Sequence, residues 1–185
     1  MGRITAMLLV VLAAAGASAA DIGGVRLDDK VSVGGQELVL NGGGVRKRVV
    51  FHVYVASLYL PQKAVDLAGT LAQAPRRIRL DMLRTLSADA LTEALNDGLE
   101  ANTDAAELAA IKPASAQLAS IMKTFGQVKE KDVVTLDFYE GGTHIGLNGE
   151  AKGVIAGEAF NRALTRIWLG DKPVQADLKK ALLGG

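Results

Sequence analysis

The stretch Val49 to Leu60, VVFHVYVASLYL, constrains the fold more than any other part of the chain. It is nearly continuous in apolar residues and rich in β-branched and aromatic ones. Such a run belongs in a central strand with both faces covered, because a strand with one wet face alternates apolar and polar residues. Pro61 ends it. Two other stretches do alternate. Arg77 to Leu83 puts Ile78, Leu80 and Met82 on one side and Arg77, Arg79 and Asp81 on the other, while Asp132 to Tyr139 turns Val134, Leu136 and Phe138 inward. Thr143 to Leu147 pairs with the latter across Gly141-Gly142, and Asn148-Gly149 predicts a tight hairpin into Ala151 to Ile155. Near the start, Val25 to Val33 and Glu37 to Leu40 read as a hairpin about Gly34-Gly35. Gly42-Gly43-Gly44 reads as a tight turn that breaks the chain.

Helical spacing fills the gap between the alternating strands. Ser87 can cap a helix whose buried stripe is Leu91, Ala94, Leu95, Gly98 and Leu99. Asp104 and Glu107 form a capping pattern for a short second helix, stopped at Pro113. Leu118, Ile121, Met122 and Phe125 make the stripe of a third, which Gly126 terminates. A last long helix carries Phe160, Ala163, Leu164, Ile167 and Trp168 on one face. That five-member stripe predicts Trp168 in the core and not in a ligand site. Pro173 fits the first turn of a short final helix bearing Leu178, Ala181 and Leu182. Strands, a helical block, more strands and closing helices make an α+β layer fold.

The first twenty residues read as a signal peptide. Arg3 supplies a positive start, Ile4 to Ala15 is apolar, and Ala17-Ser18-Ala19-Ala20 offers the small residues a signal peptidase reads. The apolar run is about a dozen residues, short of the ~20 that span a bilayer. Cleavage after Ala19 or Ala20 is expected, leaving one periplasmic domain over 21–185 with no membrane span. The chain has no Cys, which excludes a lipid anchor, disulfides and thiolate chemistry. Arg3 is the one charged residue of 1–20, so its removal turns 21 basic against 20 acidic residues into an even balance. Scattered, balanced charge predicts no electrostatic footprint for nucleic acid or an anionic membrane.

Standard catalytic signatures are missing. His52 and His144 form no metal-ligand spacing, and the Gly-rich segment lacks both the Lys-Ser/Thr of a phosphate loop and the spacing of a dinucleotide fingerprint. There is no G-x-S-x-G elbow. No metal or cofactor is expected. One feature asks for an explanation. If the central strand begins near Arg46, then Arg46, Arg48, His52 and Tyr54 share one face, opposite Val49, Phe51, Val53 and Val55. Buried without partners, each polar group would cost ~1–3 kcal/mol. Either the arginines sit at a wet strand end with Tyr54 bonded to backbone, or this face floors a cavity that donates to an anionic or carbonyl-bearing ligand.

Leu40-Asn-Gly-Gly-Gly-Val-Arg46, then Phe51-His-Val-Tyr-Val-Ala-Ser-Leu-Tyr-Leu60, resembles the signature of bacterial chalcone-isomerase-like proteins. The tail from Phe160 through Trp168-Leu-Gly-Asp-Lys-Pro-Val174 to Gly184 reinforces the resemblance, which covers essentially the whole of 21–185. It implies an open-faced β-sandwich: an antiparallel sheet, helices on one side, and a ligand cleft between them. The family contains plant enzymes that close chalcones to flavanones and relatives that bind fatty acids without catalysis. Arg46 matches the family arginine that polarises the enzymes' substrate or holds the binders' carboxylate. Tyr54 stands where the enzymes have Thr, and Leu91 and Gly98 stand where they have Tyr and Asn, with Asn96 close by. The catalytic set is incomplete. The resemblance therefore implies a non-catalytic binder of a fatty or aromatic acid, with Arg46 as counter-ion and Tyr54 as hydroxyl donor. The alternatives are an isomerase or intramolecular lyase using the same pair, and a structural domain with a filled core. On one straight strand Arg46 and Tyr54 would lie roughly 26 Å apart, so sharing a head group requires a bend or bulge.

Overall fold

The structure, a computed structural model, describes residues 20–185, so the predicted signal peptide lies outside the described residues apart from Ala20. The strands of the first half are β1 (Ala20–Ile22), β2 (Val25–Leu27), β3 (Lys30–Val33), β4 (Gln36–Arg48), β5 (Phe51–Leu60), β6 (Arg76–Met82) and β7 (Leu86–Ser87). Those of the second half are β8 (Gln127–Val128), β9 (Val133–Tyr139), β10 (Gly142–Leu147) and β11 (Glu150–Ala156). The helices are α1 (Leu67–Leu71), α2 (Ala88–Asn102), α3 (Ala105–Lys123), α4 (Glu158–Leu169) and α5 (Ala176–Leu182). Seven strands form one antiparallel sheet in the order β11-β10-β9-β6-β5-β4-β3. One face carries the core: Ala56, Leu58, Ile78, Leu80, Leu136 and Phe138 meet buried side chains of the helices. The other face keeps a small cluster of Val33, Leu38 and Tyr59, and charged pairs, one across strands and one within β6. Arg77 grips Asp137 with two bonds of 2.5 and 2.6 Å, and Arg79 grips Asp81 with two of 2.9 and 2.7 Å. This is the open-faced β-sandwich the resemblance implied.

The predicted alternations hold where packing is one-sided. β9 buries Val134, Leu136 and Phe138 and half-exposes the residues between them. Ser87 and Asp104 cap α2 and α3 through their side-chain oxygens. α4 buries its whole predicted stripe. Four expectations fail. Val25 to Val33 is not one strand but β2 and β3, with the β1–β2 pair forming a separate ribbon. Pro113 does not stop a helix: α3 runs through it. Pro113 and Ala109, whose carbonyl loses its partner, are both exposed, so water replaces the missing bond while Ile111, Leu118 and Met122 pack in register. Pro173 precedes α5 instead of entering its first turn, which begins after Gln175.

The fourth correction concerns Gly42-Gly43-Gly44, which lie inside β4 and make no turn. Helix α5 lies on two of them: a Cβ at Gly42 would sit 2.1 Å from the Ala181 carbonyl oxygen and one at Gly44 3.0 Å from Leu178, while a Cβ at Gly43, on the other face, would meet Leu27 at 2.9 Å and Ile22 at 3.1 Å. Asn41 is the extra residue of a β-bulge opposite Leu58–Tyr59. Its buried amide donates to Leu182 O (2.7 Å) and Ala64 O (2.9 Å) and accepts from Ala64 N (2.7 Å), fastening α5 to the sheet.

Candidate functional site

Arg46 and Tyr54 face each other. β4 turns back at Val49-Val50, so the two residues belong to neighbouring strands and are direct register partners. The separation is ~5 Å between Cα atoms and not the 26 Å of a single strand. A second bulge lies beside them. Arg46 pairs with Tyr54 and Lys47 with His52, leaving Val53 extra on β5. That extra residue reverses the alternation toward the turn. Tyr54, Val53 and Phe51 all border one cleft with Arg46 and Arg48, while His52 and Lys47 do not. The expected face of Arg46, Arg48, His52 and Tyr54 is therefore corrected: Phe51 takes the place of His52.

The cleft measures about 650 Å³, within the ~300–1,000 Å³ of small-molecule sites. Its floor is the β4–β5 hairpin end and Leu80; its helical wall is the inner face of α2 and the C-terminal turn of α4. Leu91, Leu95 and Gly98 of α2 and Ile167 of α4 supply apolar lining. Gly98 lets the two helices close behind it, since a Cβ there would meet Ile167 at 2.7 Å. Trp168 was expected in the core and outside the cleft. It is 1 % exposed, yet its indole borders the cleft and its N–H donates to the Tyr54 hydroxyl at 3.2 Å. Core and cleft share that wall. Asn96, on the exposed side of α2, is not part of the lining.

The electrostatics are asymmetric. Arg46 is partly buried, and among the described residues it makes no ion pair. Its guanidinium donates to the Lys47 carbonyl and, at 3.5 Å, to Gln175 Oε1. Gln175 also accepts from Lys47 N (2.8 Å) and donates to Val45 O (3.3 Å), so the residue capping α5 holds the hairpin in place. Burial pushes the Tyr54 hydroxyl above the usual phenol range, against the Trp168 hydrogen bond and the Arg46 charge, which pull it down. It stays protonated at neutral pH. Because Trp168 donates to its oxygen, the Tyr54 hydroxyl, which borders the cleft, keeps its own hydrogen to give. Sequence reasoning missed Arg84, Phe51 and Gln175; Arg84 follows β6 and Gln175 precedes a short helix, and neither carries a periodic signal.

A family model described as chalcone isomerase-like matches residues 19–184. The chain belongs to the chalcone isomerase-like family. No curated protein matches its sequence. Among solved structures, this family member is similar to a fatty-acid binding protein of Arabidopsis thaliana, with a TM-score of 0.67 and 14% identity over 86% of this chain and 92% of that one. At that identity the likeness establishes the shared fold. Among the described residues no helix is long and apolar enough to cross a membrane.

Proposed function

We propose that the protein binds a fatty acid or another small amphipathic acid in the cleft without transforming it. The observation that carries this reading is the facing pair at the cleft floor: Arg46, with no carboxylate partner among the described residues, beside Tyr54 with a hydrogen to give. Guanidinium and hydroxyl together suit a carboxylate, and the apolar wall of α2 and α4 suits a hydrocarbon or aromatic body. The fatty-acid binding of the Arabidopsis relative supports the same ligand class. The isomerase reading has weaker support, since Leu91 and Gly98 occupy the positions where the plant enzymes carry Tyr and Asn. Native mass spectrometry of protein purified without detergent tests the proposal. A co-purifying acid, lost in Arg46→Ala, supports it; turnover of 2′-hydroxychalcone would overturn it. Export to the periplasm belongs to the same proposal. It forecasts a mature N-terminus at Ala20 or Asp21, and a chain still beginning at Met1 in the cytoplasm would refute it. Cleavage after Ala19 preserves the β1–β2 pairing of Ala20 with Leu27.

A further inference from the structure

The tip of the β4–β5 hairpin departs from ordinary surface chemistry in three ways. Val49 and Val50, which form its turn, are 90% and 79% exposed, and Phe51 beside them is 54% exposed. Single exposed apolar residues are common, but three in succession on a projecting turn make a contiguous feature. Val49 also holds φ 56°, in the left-handed region where a β-branched side chain is strained. Neither backbone geometry nor packing explains valine at this position. Finally, Arg46, Lys47 and Arg48 flank the tip, and the Arg84 guanidinium lies 4.4 Å from the Phe51 ring centre. Among the described residues none of these four cations is ion-paired. The even charge balance along the sequence concealed this local cluster.

We propose that the hairpin tip docks on a lipid bilayer bearing anionic headgroups. Val49, Val50 and Phe51 enter the interfacial layer, and Lys47, Arg48 and Arg84 meet the headgroups around them, with Arg46 behind them at the cleft floor. The shape of the feature selects this partner. A stable protein interface covers about 800 Å² on each side, far more than three turn residues present. A bilayer accepts a small apolar wedge, and each Lys or Arg near an anionic surface strengthens binding by about fivefold. Glu93 and Asp97 lie on the α2 wall of the same cleft, and neither pairs with the hairpin cations. Arg48, Val49, Phe51 and Arg84 also border the cleft, so docking turns its mouth toward the bilayer. Exchange of an acid between bilayer and cleft rests on the proposed function; docking itself does not.

The absence of Cys allows a site-specific test. Val50→Cys, at a position outside the cleft lining, carries an environment-sensitive fluorophore; Val65→Cys, 81% exposed beyond the far end of β5, serves as control. Ligand-free protein is mixed with vesicles of phosphatidylcholine alone or with phosphatidylglycerol. Blue-shifted emission from the tip label with the anionic vesicles only, and none from the control, is the expected result. Adding Lys47→Glu, which removes one cation and adds an anion, weakens the response by about twentyfold or more. An unchanged tip label on anionic vesicles overturns the proposal, as does an equal response to neutral ones. A shift without vesicles that grows with protein concentration assigns the tip to a second copy of the chain and overturns it too. Since no acid is present, failure of the binding proposal would leave these outcomes untouched.

Discussion

The sheet meets α4 in two different ways at its two ends, and an arginine stands at each. At the end where β6 begins, Arg76 is 4% exposed and has no ion pair among the described residues, like Arg46. Its guanidinium nevertheless has acceptors all round: Asn161 Oδ1 at 2.6 Å, Gln73 O at 3.1 Å and Thr165 Oγ1 at 3.4 Å, with the Phe138 ring 4.9 Å away. Burial lowers its pKa to about 10, so it remains charged at neutral pH. At the other end, sheet and helices part, and Arg46 borders the cleft with two acceptors, the Lys47 carbonyl and, at a long 3.5 Å, Gln175 Oε1. The contrast teaches that a missing carboxylate does not by itself mark a binding arginine. What marks it is unused donor capacity beside a cavity.

Substitutions can break that contrast. Arg76→Ala strands the Asn161 and Gln73 acceptors and opens a hole over Phe138, so it should cost roughly 3–5 kcal/mol of stability with acid affinity unchanged. Thermal melts and titration calorimetry read the two separately; a loss of affinity without loss of stability would invert the assignment. Arg46→Ala should do the reverse, weakening acid binding by ~2–4 kcal/mol while leaving the melting temperature nearly where it was. Arg46→Lys should recover only part, since an ammonium lacks the planar two-pronged contact with a carboxylate. A sharp drop in melting temperature with unchanged affinity would make Arg46 structural.

Tyr54→Phe should cost about 1 kcal/mol in acid affinity and a similar amount of stability, because the buried Trp168 N–H loses its acceptor. It also carries a pH signature. The folded protein resists ionising Tyr54, whereas the unfolded chain ionises it near pH 10, so stability falls as pH rises above 10. The variant should show a shallower alkaline fall in denaturant midpoints. The smallest effect belongs to Asn96→Ala, which should change neither affinity nor stability beyond ±0.5 kcal/mol; a measurable loss of binding would place α2 in a different register against the cleft.

How much of this was legible in the sequence follows from which signals repeat. β9 and α4 were readable because one face of each is packed, and the apolar period records it. Arg76 and Arg77 look alike as adjacent letters; only the fold sends one inward to Asn161 and the other out to Asp137. The Val53 bulge leaves no trace, because a single inserted residue does not disturb a run as uniformly apolar as Val49 to Leu60. Hence the alternation finds Arg46, Arg48 and Tyr54 but not all of their companions. His52 was drawn in by alternation, and Phe51 was missed. Gly42 to Gly44 are misread for a related reason: glycine marks turns and close approaches alike, and what approaches Gly42 and Gly44 is a helix more than 130 residues downstream.

The Val53 bulge also sets a rule of parity for this end of the molecule. Every position between it and the turn owes its inside-or-outside identity to one uncompensated residue. Deleting Val53 would close the bulge and leave Phe51 at the cleft, whereas one extra residue in β4 opposite Val53 would restore strict alternation and exchange the aromatic ring for the His52 imidazole. Lengthening the turn by two residues would keep every identity, whereas lengthening by one would invert whichever arm absorbed it. Chains of this fold can therefore vary hairpin length in even steps and keep one kind of cleft, while an odd step offers a different lining in a single event.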